Sequence, residues 1–342
     1  MATASIYARY FNYTDTPIPV DVETSQPIKD NISKQSNKKT PEPVKKSNEP
    51  KKIDNNTELP FMFGIGTELD HAIKHRITKE APVKMLSSWY NGPGDLEFMN
   101  GWRTTKVPQA YKSGYSLHLI IYTNGPEQPI KTAYGQACGR AYPLSSNFID
   151  DMKLLSNIFK GGKLYVSMFT EFQTYPCNDN TWKGSENYYR ALKDQYLATM
   201  KIFHQNVPGS QVSLSWGGWQ ANWDDTAKGA GLSLVKRFED ALNASDFQSF
   251  QAMSTTDNLD IILKMTDALS PYRGGIMVSH YKPDNGSQAV FDKDVRTIFT
   301  ADNMTKFKNR GLFALSFMDS KNIDTSETSY LNVKKLIKSF SH

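Results

Sequence analysis

The sequence contains little of what marks the simplest functional classes. Its 342 residues include only two cysteines, Cys138 and Cys177, which are too few for a disulfide framework, and no C-x-x-C pair indicates a zinc site. Free thiols are the simpler expectation for both, although one bridge between them is possible. No uninterrupted apolar stretch reaches the ~18 residues of a membrane helix, so we expect no membrane span.

Motifs for several kinds of catalysis are missing as well. There is no P-loop and no G-x-S-x-G nucleophile elbow, and the glycines of GIGTEL are not followed by the rest of a dinucleotide fingerprint. His71 and His75 stand at i and i+4 on a charged segment that offers no pattern of carboxylate partners. We therefore expect neither a metal nor an organic cofactor.

The first 58 residues form two segments that differ from the rest of the chain. Residues 1–22 form an aromatic arm whose rings need a surface to pack on, either their own domain or a protein partner. This arm lacks a basic region followed by an apolar run, so it does not predict a secretory signal. Residues 23–58 are rich in lysine, proline and asparagine and contain no aromatic residue, which is typical of a solvated linker. The rings of the arm belong to Tyr7, Tyr10, Phe11 and Tyr13.

The overall charge does not point to a nucleic-acid partner. The formal net charge is only +5, and many of the lysines lie in the linker. A lysine-rich linker is most simply a solvated tether, so we expect no nucleic-acid surface.

From residue 59 to residue 342 the sequence is globular, with short apolar runs between helical patterns. Near-continuous apolar runs are typical of strands that are buried on both faces of a parallel sheet. Eight runs are predicted to be strands, at 62–66, 83–91, 117–124, 163–172, 212–219, 247–253, 275–281 and 312–319.

Helical patterns separate several of these strands. Apolar residues recur at spacings of three and four from Phe148, Tyr189, Leu232 and Leu259, and Thr67 is a candidate cap for an earlier helix. The helical pattern is weakest between the second and third strands, and a long loop is expected at 126–143. Eight strands alternating with amphipathic helices predict a closed (β/α)8 barrel, the TIM-barrel fold, which takes ~250 residues.

In such a barrel the functional groups lie at the carboxyl ends of the strands. Those ends carry many aromatic and polar side chains, among them the carboxylate of Glu171 at the end of the fourth strand. Flat rings combined with polar groups suit a sugar, so we predict a polysaccharide site, although Trp216 and Trp219 could instead only plug the barrel. The predicted substrate-binding residues are Trp89, Tyr90, Tyr122, Tyr175, Trp182, Trp216, Trp219, His280 and Tyr281.

One part of the sequence resembles a known family. The block that runs from YVSMFTEFQ through Trp182 and the helix ENYYRALKDQYLATMKIFHQN to VSLSW is similar to the strand-four to strand-five region of retaining TIM-barrel glycosidases, above all endo-mannanase-like members. The resemblance is at motif level over 144–223 and architectural over roughly 60–320. It implies that Glu171 is the general acid/base. Rings such as Phe169 and Phe172 would desolvate its carboxyl and raise its pKa, as protonation of a glycosidic oxygen requires.

The sequence also departs from that family. Thr170 precedes Glu171 where the family has asparagine or histidine, and the seventh strand, IMVSHYKPD, lacks the family's nucleophilic glutamate. A second carboxylate would have to lie about 5–5.5 Å from the first for retention or about 6.5–9.5 Å for inversion. Asp319 is the predicted second catalytic carboxylate because it ends its strand, whereas Asp284 lies beyond a proline and Asp257 is placed to cap a helix.

Two functions follow from these features. The first is a glycoside hydrolase that cleaves a polysaccharide. The second is a catalytically degenerate barrel that binds carbohydrate or serves only assembly. An aromatic arm on a linker resembles the way accessory barrels are attached to large assemblies such as the virions of tailed phages. An enzyme with an N-terminal extension is the plain alternative.

The arm and linker can be tested by truncation. If residues 1–22 anchor the chain to a protein partner, deletion of residues 1–58 should leave a soluble barrel with an unchanged unfolding temperature that no longer binds the partner. Calorimetry and co-sedimentation measure the two effects. A truncated chain that fails to fold would show instead that the arm belongs to the domain.

Overall fold

The computed structural model describes residues 61–122, 125–174, 186–224, 233–256 and 258–341, without the side chains of Thr174 and Trp223. The predicted arm and linker therefore lie outside the described residues.

Ten strands are described. Eight of them are parallel to their neighbours and close into a ring in the order β1-β10-β9-β8-β7-β6-β3-β2. The predicted (β/α)8 TIM barrel is confirmed, and each of the eight predicted strands supplies one strand of the ring. The strands are β1 (Met62–Gly66), β2 (Met85–Tyr90), β3 (Ser116–Tyr122), β4 (Glu127–Thr132), β5 (Gly135–Arg140), β6 (Leu164–Thr170), β7 (Gln211–Trp216), β8 (Gln248–Ala252), β9 (Ile276–Tyr281) and β10 (Leu312–Phe317).

The helices surround this ring and bury their apolar faces against it. They are α1 (Leu69–Lys74), α2 (Arg76–Glu80), α3 (Asp95–Trp102), α4 (Lys106–Lys112), α5 (Phe148–Ile158), α6 (Glu186–Asn206), α7 (Gln220–Trp223), α8 (Leu234–Arg237), α9 (Glu239–Ala244), α10 (Asn258–Leu269), α11 (Gln288–Thr297), α12 (Ala301–Asn309), α13 (Ser320–Asp324) and α14 (Glu327–Phe340). Among the described residues, no helix combines the length and apolarity that crossing a membrane demands.

The four segments with apolar residues at helical spacing correspond to α5, α6, α8 with α9, and α10, although Leu232 is outside the described residues. The weak pattern between the second and third predicted strands holds two helices, α3 and α4. The predicted cap at Thr67 is one residue early, because α1 is preceded by Glu68, whose side chain makes no capping hydrogen bond.

The segment expected to be a long loop is instead an antiparallel hairpin. β4 pairs with β5 from Glu127 opposite Arg140 to Thr132 opposite Gly135, outside the ring. The hairpin lies against α6, where Asn187 Nδ2 donates to the Gln136 carbonyl at 3.0 Å. Cys138 on β5 is disulfide-bonded, so the expectation of a free thiol is wrong there. The other cysteine, Cys177, lies outside the described residues.

The interior of the barrel is apolar at the amino ends of the strands. A buried cluster there is separate from the core between sheet and helices. Its rings pack edge to face, with Tyr165 and Phe247 centroids 5.6 Å apart. The cluster is made of Met85, Tyr165, Phe247, Met277 and Ala314.

One layer higher the interior is polar, whereas TIM barrels are mostly filled by bulky branched side chains at this level. His118 from β3 lies at the centre of a fully buried chain of hydroxyls. Its Nδ1 is 3.0 Å from Ser87 Oγ, its Nε2 is 2.8 Å from Ser167 Oγ, and Ser87 continues to Ser316 at 2.7 Å. Because both ring nitrogens have partners, the imidazole is accommodated without charge, and burial lowers its pKa to about 3.

The depressed pKa of His118 makes stability depend on pH. The unfolded chain binds a proton on this residue near pH 6.5 but the folded chain only near pH 3, so the free energy of unfolding should fall as the pH falls between these values. His118→Gln should make that fall shallower by about 1.4 kcal/mol per pH unit. Urea unfolding at a series of pH values measures it.

The matched control is His71→Gln, which removes an exposed histidine and should leave the slope unchanged. Equal slopes for the His118 variant and the wild type would show that His118 takes up its proton in the folded state near the ordinary pH.

Candidate active site at the carboxyl ends of the strands

Glu171 lies directly after β6, where the backbone is irregular. Phe169 and Glu171 are the two non-glycine residues with positive φ among the described residues, at 58° and 62°. The pairing of β6 with β3 shifts register here, since Ile121 is opposite Met168 and Tyr122 is opposite Thr170. Phe169 is the extra residue of this bulge, and its ring packs 5.7 Å from that of Phe148 on α5.

The bulge places the Glu171 carboxyl over the barrel, where Gln251 of β8 donates a hydrogen bond from Nε2 to Oε1. Desolvation by burial raises the pKa of this carboxyl, and the hydrogen bond from Gln251 opposes that rise. The result is a half-buried carboxyl that holds its proton at higher pH than an exposed glutamate does.

Two charged residues also act on Glu171. The positive charge of Arg140 at the end of β5 lowers its pKa, and the negative charge of Asp284, which follows β9, raises it. Arg140 lies over the ring of Tyr122, with its guanidinium carbon 4.8 Å from the ring centroid. The hairpin outside the ring therefore supplies a cation that acts on the carboxyl, and this cation lies over the ring of Tyr122, the last residue of β3.

Trp89 lies across the top of β1. A Cβ atom at Gly66 would come within 2.2 Å of its ring, so the absence of a side chain at Gly66 makes room for the indole. The indole is half-buried and meets the His280 ring edge to face at 6.2 Å. The structure thus brings together two of the residues that the sequence analysis named for substrate binding, Trp89 and His280. His280 itself is only 2% exposed.

Trp219 occupies a comparable position after β7. Its ring lies against Gly217. A Cβ atom at Gly217 would come within 2.5 Å of the Trp219 ring, so only glycine leaves room for it. Gln173 shares this space and donates from Nε2 to the Gly217 carbonyl at 3.1 Å. The Trp219 ring is half-buried, so part of it remains open to solvent.

Three of the predicted substrate-binding aromatics are buried in the core and do not reach the surface of the site. Trp216 packs its ring 4.7 Å from Phe172. Tyr90 is hydrogen-bonded through its hydroxyl to Tyr142, and the Tyr281 hydroxyl donates to Asp294 at 2.9 Å. All three are at most 1% exposed, so they stabilise the barrel and cannot stack on a ligand in this structure.

Asp319, the predicted second carboxylate, is found at the start of α13. Its Oδ1 accepts a hydrogen bond from the Lys321 backbone N–H at 2.9 Å, which makes it the N-cap of that helix. Its Oδ2 lies 3.9 Å from Lys282 Nζ. Tyr175, Trp182 and Asp257 lie outside the described residues.

Sequence reasoning missed two residues of this site. Gln251 lies inside the predicted strand 247–253, and for this strand only a residue that follows it, Asp257, was considered; applying the strand-end rule to the last residues of the strand itself would have found Gln251. Arg140 gave no such signal, because its segment was taken for a loop and only the hairpin pairing brings it to the barrel mouth.

The histidines considered for metal binding are in α1 and directly after it. His75 Nε2 is bonded to Asp324 at 2.6 Å. His71 lies with Glu68 and Asp70 in a group whose ligand atoms are within 4.8 Å of one another, but Asp70 is paired with Lys106 at 2.9 Å. The Lys106 ammonium group would compete with a metal cation for the Asp70 carboxylate.

Neither a protein-family model nor a curated protein matches this sequence. Solved structures with the same architecture do match. A psychrophilic glycoside hydrolase family 10 endo-beta-1,4-xylanase superposes with a TM-score of 0.53 at 12% identity, over 76% of this chain and 86% of that chain. Xylanase 10B from Thermotoga maritima gives 0.50 at 12% identity over 82% and 96%. The GH53 catalytic domain from Ignisphaera aggregans gives 0.50 at 11% over 77% and 85%.

These similarities show that the chain has the TIM-barrel fold found in glycoside hydrolases. At such low sequence identities they show the fold alone.

The space above β1 can be tested by adding one methyl group. Gly66→Ala should destabilise the barrel by about 1–3 kcal/mol, because the new Cβ overlaps the Trp89 ring and lies 2.7 Å from the Met318 carbonyl oxygen. Urea unfolding and near-ultraviolet circular dichroism measure the loss and the altered tryptophan environment. Gly101→Ala on α3, where a Cβ meets nothing within 4 Å, is the control and should be neutral or stabilising. Equal stabilities of the two variants would contradict the placement of Trp89.

Proposed function

We propose that this barrel binds a polysaccharide at the carboxyl ends of its strands and hydrolyses its glycosidic bonds, with Glu171 as general acid/base. The observation that carries the proposal is the Glu171 carboxyl itself, which is half-buried at the barrel mouth and has a pKa raised by desolvation. A carboxyl whose pKa is raised keeps its proton to a higher pH than an exposed glutamate does, and in that form it can protonate a leaving-group oxygen. The fold shared with xylanases supports the same reaction class by analogy.

Sugar recognition is proposed for the half-buried rings around this carboxyl. Trp89, Trp219 and Tyr122 each leave part of a ring exposed at the carboxyl ends of the strands. Such faces stack on the apolar faces of pyranose rings, while charged groups such as Arg140 suit hydroxyl and carboxylate groups. The substrate class proposed is therefore a polysaccharide of pyranose units.

The second carboxylate is proposed to be Asp284 or Asp319. Asp284 has the advantage that its charge acts on Glu171, whereas the oxygens of Asp319 are held by the α13 backbone and near Lys282. Substituting each in turn by asparagine separates the two, since only the reacting carboxylate is needed for turnover and not for binding.

The second candidate function is a non-catalytic barrel that binds carbohydrate, carried on a larger assembly such as a phage virion by residues 1–22. The observation in its favour is β9, which brings His280 and no carboxylate to the mouth. Sugar binding without hydrolysis by the wild-type protein would support this function.

The catalytic role of Glu171 is tested on a panel of polysaccharides that includes xylan and mannan. Glu171→Gln should lower the rate of reducing-end release by ~10²–10⁴-fold while leaving binding of the polysaccharide intact. Because the general acid must be protonated, wild-type activity should decline as the pH rises through the raised pKa of Glu171. Affinity electrophoresis measures binding alongside activity.

The matched control is Glu127→Gln on β4, which removes another carboxylate that interacts with Arg140 and should leave the rate unchanged. Equal rates for Glu171→Gln and the wild type would remove Glu171 from the mechanism.

A further inference from the structure

A line of buried polar side chains leads from Glu171 into the barrel. Gln251 donates from Nε2 to Glu171 Oε1, and its Oε1 lies 2.8 Å from His280 Nε2. On the far side of the imidazole, His280 Nδ1 lies 3.1 Å from Ser279 Oγ. Gln251, His280 and Ser279 are at most 2% exposed, so water does not compete for these hydrogen bonds.

The donors and acceptors in this line determine one another. The amide oxygen of Gln251 can only accept, so His280 Nε2 must carry a proton and donate it. Burial lowers the pKa of His280 to about 3, so the ring is neutral near pH 7 and Nδ1 has no proton. The single Ser279 hydroxyl proton is shared between Nδ1 and the Phe250 carbonyl, which accepts from it at 3.1 Å. The proton on His280 Nε2 leaves the amide N–H of Gln251 facing Glu171.

The backbone holds these groups in register. Gln251 and His280 are opposite each other on β8 and β9, and the register shifts between this pair and Phe250 opposite Val278. Ser279 is the extra residue of that bulge, which is how Ser279 and His280, although adjacent in sequence, both direct their side chains into the barrel. Both strands belong to the closed ring, so the line rests on rigid elements.

We propose that His280 is a positioning residue, which fixes the Gln251 amide with its N–H directed at Glu171 so that the ionised carboxylate always meets a donor. This inference rests on the proposed role of Glu171, because a general acid/base has to exist in both protonated and ionised forms during turnover. Without His280 the amide could rotate and present its oxygen, which accepts from the protonated acid and disfavours the carboxylate.

Other groups also act on this carboxyl and have to stay constant in a test. Arg140 from β5 favours the ionised form, and Asp284 after β9 disfavours it. On the other side, His280 faces the indole edge of Trp89, and its charge would act on the buried His118. Apart from Glu171→Gln, which serves only to assign the signal, none of the substitutions below alters a charge near pH 7, since both histidines are neutral there.

The test is the pKa of Glu171 itself, followed by NMR of the full chain labelled with ¹³C at glutamate side-chain carboxyls, with Glu171→Gln to assign the signal. His280→Phe should raise this pKa by about one pH unit. Gln251→Leu should raise it similarly, and the double variant should show no further rise, because His280 acts through Gln251. His280→Gln, whose amide can donate to Gln251, should restore most of the wild-type value.

The control is His118→Gln, which changes another histidine that is closed to solvent but is hydrogen-bonded to Ser87 and Ser167 instead of Gln251. It should leave the Glu171 pKa unchanged. An unchanged pKa in His280→Phe, an equal shift in the control, or a full extra shift in the double variant would overturn the proposal. If His280→Phe does not fold, His280→Leu, which is smaller and likewise offers no donor to Gln251, tests the same line and should raise the Glu171 pKa in the same direction.

The titration needs no substrate and no turnover. A protein that cleaves no polysaccharide but shows these shifts would refute the proposed hydrolysis and keep the role of His280. Loss of cleavage in Glu171→Gln without the shifts would do the reverse.

Discussion

The closure of the ring between β1 and β10 is the constraint on which the site depends. β1 presents no side chain to the interior at Gly64 or Gly66, and a Cβ at Gly64 would lie 3.0 Å from Ser316 Oγ. Side chains from the strands on either side therefore meet across β1, as Ser87 does with Ser316 at 2.7 Å. The same gap one layer higher receives the Trp89 indole. The two glycines of β1, Gly64 and Gly66, thus make room for the hydrogen-bonded layer that contains Ser87 and Ser316 and, above it, for the Trp89 ring at the barrel mouth.

Two bulges then orient the polar groups at the mouth. Regular alternation along β6 would point Phe169 into the barrel, but the bulge turns its ring out to Phe148 and leaves Glu171 over the interior. A left-handed non-glycine residue costs on the order of 1–3 kcal/mol. The buried contact of Phe169 with Phe148 and the hydrogen bond from Gln251 to Glu171 offset that cost. The same bulge therefore packs the Phe169 ring in the core and holds the Glu171 carboxyl over the barrel.

The ring could be predicted from the sequence because buried parallel strands leave near-continuous apolar runs, and eight of them were recognisable. The position of Glu171 followed from the same rule. What the strand ends could not reveal was which side of the sheet each ring faces. Trp89 and Tyr90 are adjacent on β2, so their side chains face opposite sides of the sheet. The Trp89 indole lies at the barrel mouth, whereas the Tyr90 ring is buried in the core. The bulges at Phe169 and Ser279 depend on tertiary packing and leave no pattern in sequence. The β4–β5 hairpin was missed because EQPIKT is polar, exposed and interrupted by Pro129.

That hairpin has a consequence for how the site divides its tasks. It lies outside the ring and rests on α6, where Arg190 covers the Tyr134 ring at 4.0 Å and Asn187 binds the Gln136 carbonyl. None of its residues takes part in strand pairing within the barrel, yet its last residue, Arg140, supplies the cation that acts on Glu171. The charge at the barrel mouth can therefore change without any change in the barrel. Replacing the β4–β5 hairpin would alter the electrostatic potential around Glu171, and with it the preference for charged ligands, while the pairing of the eight barrel strands stays the same.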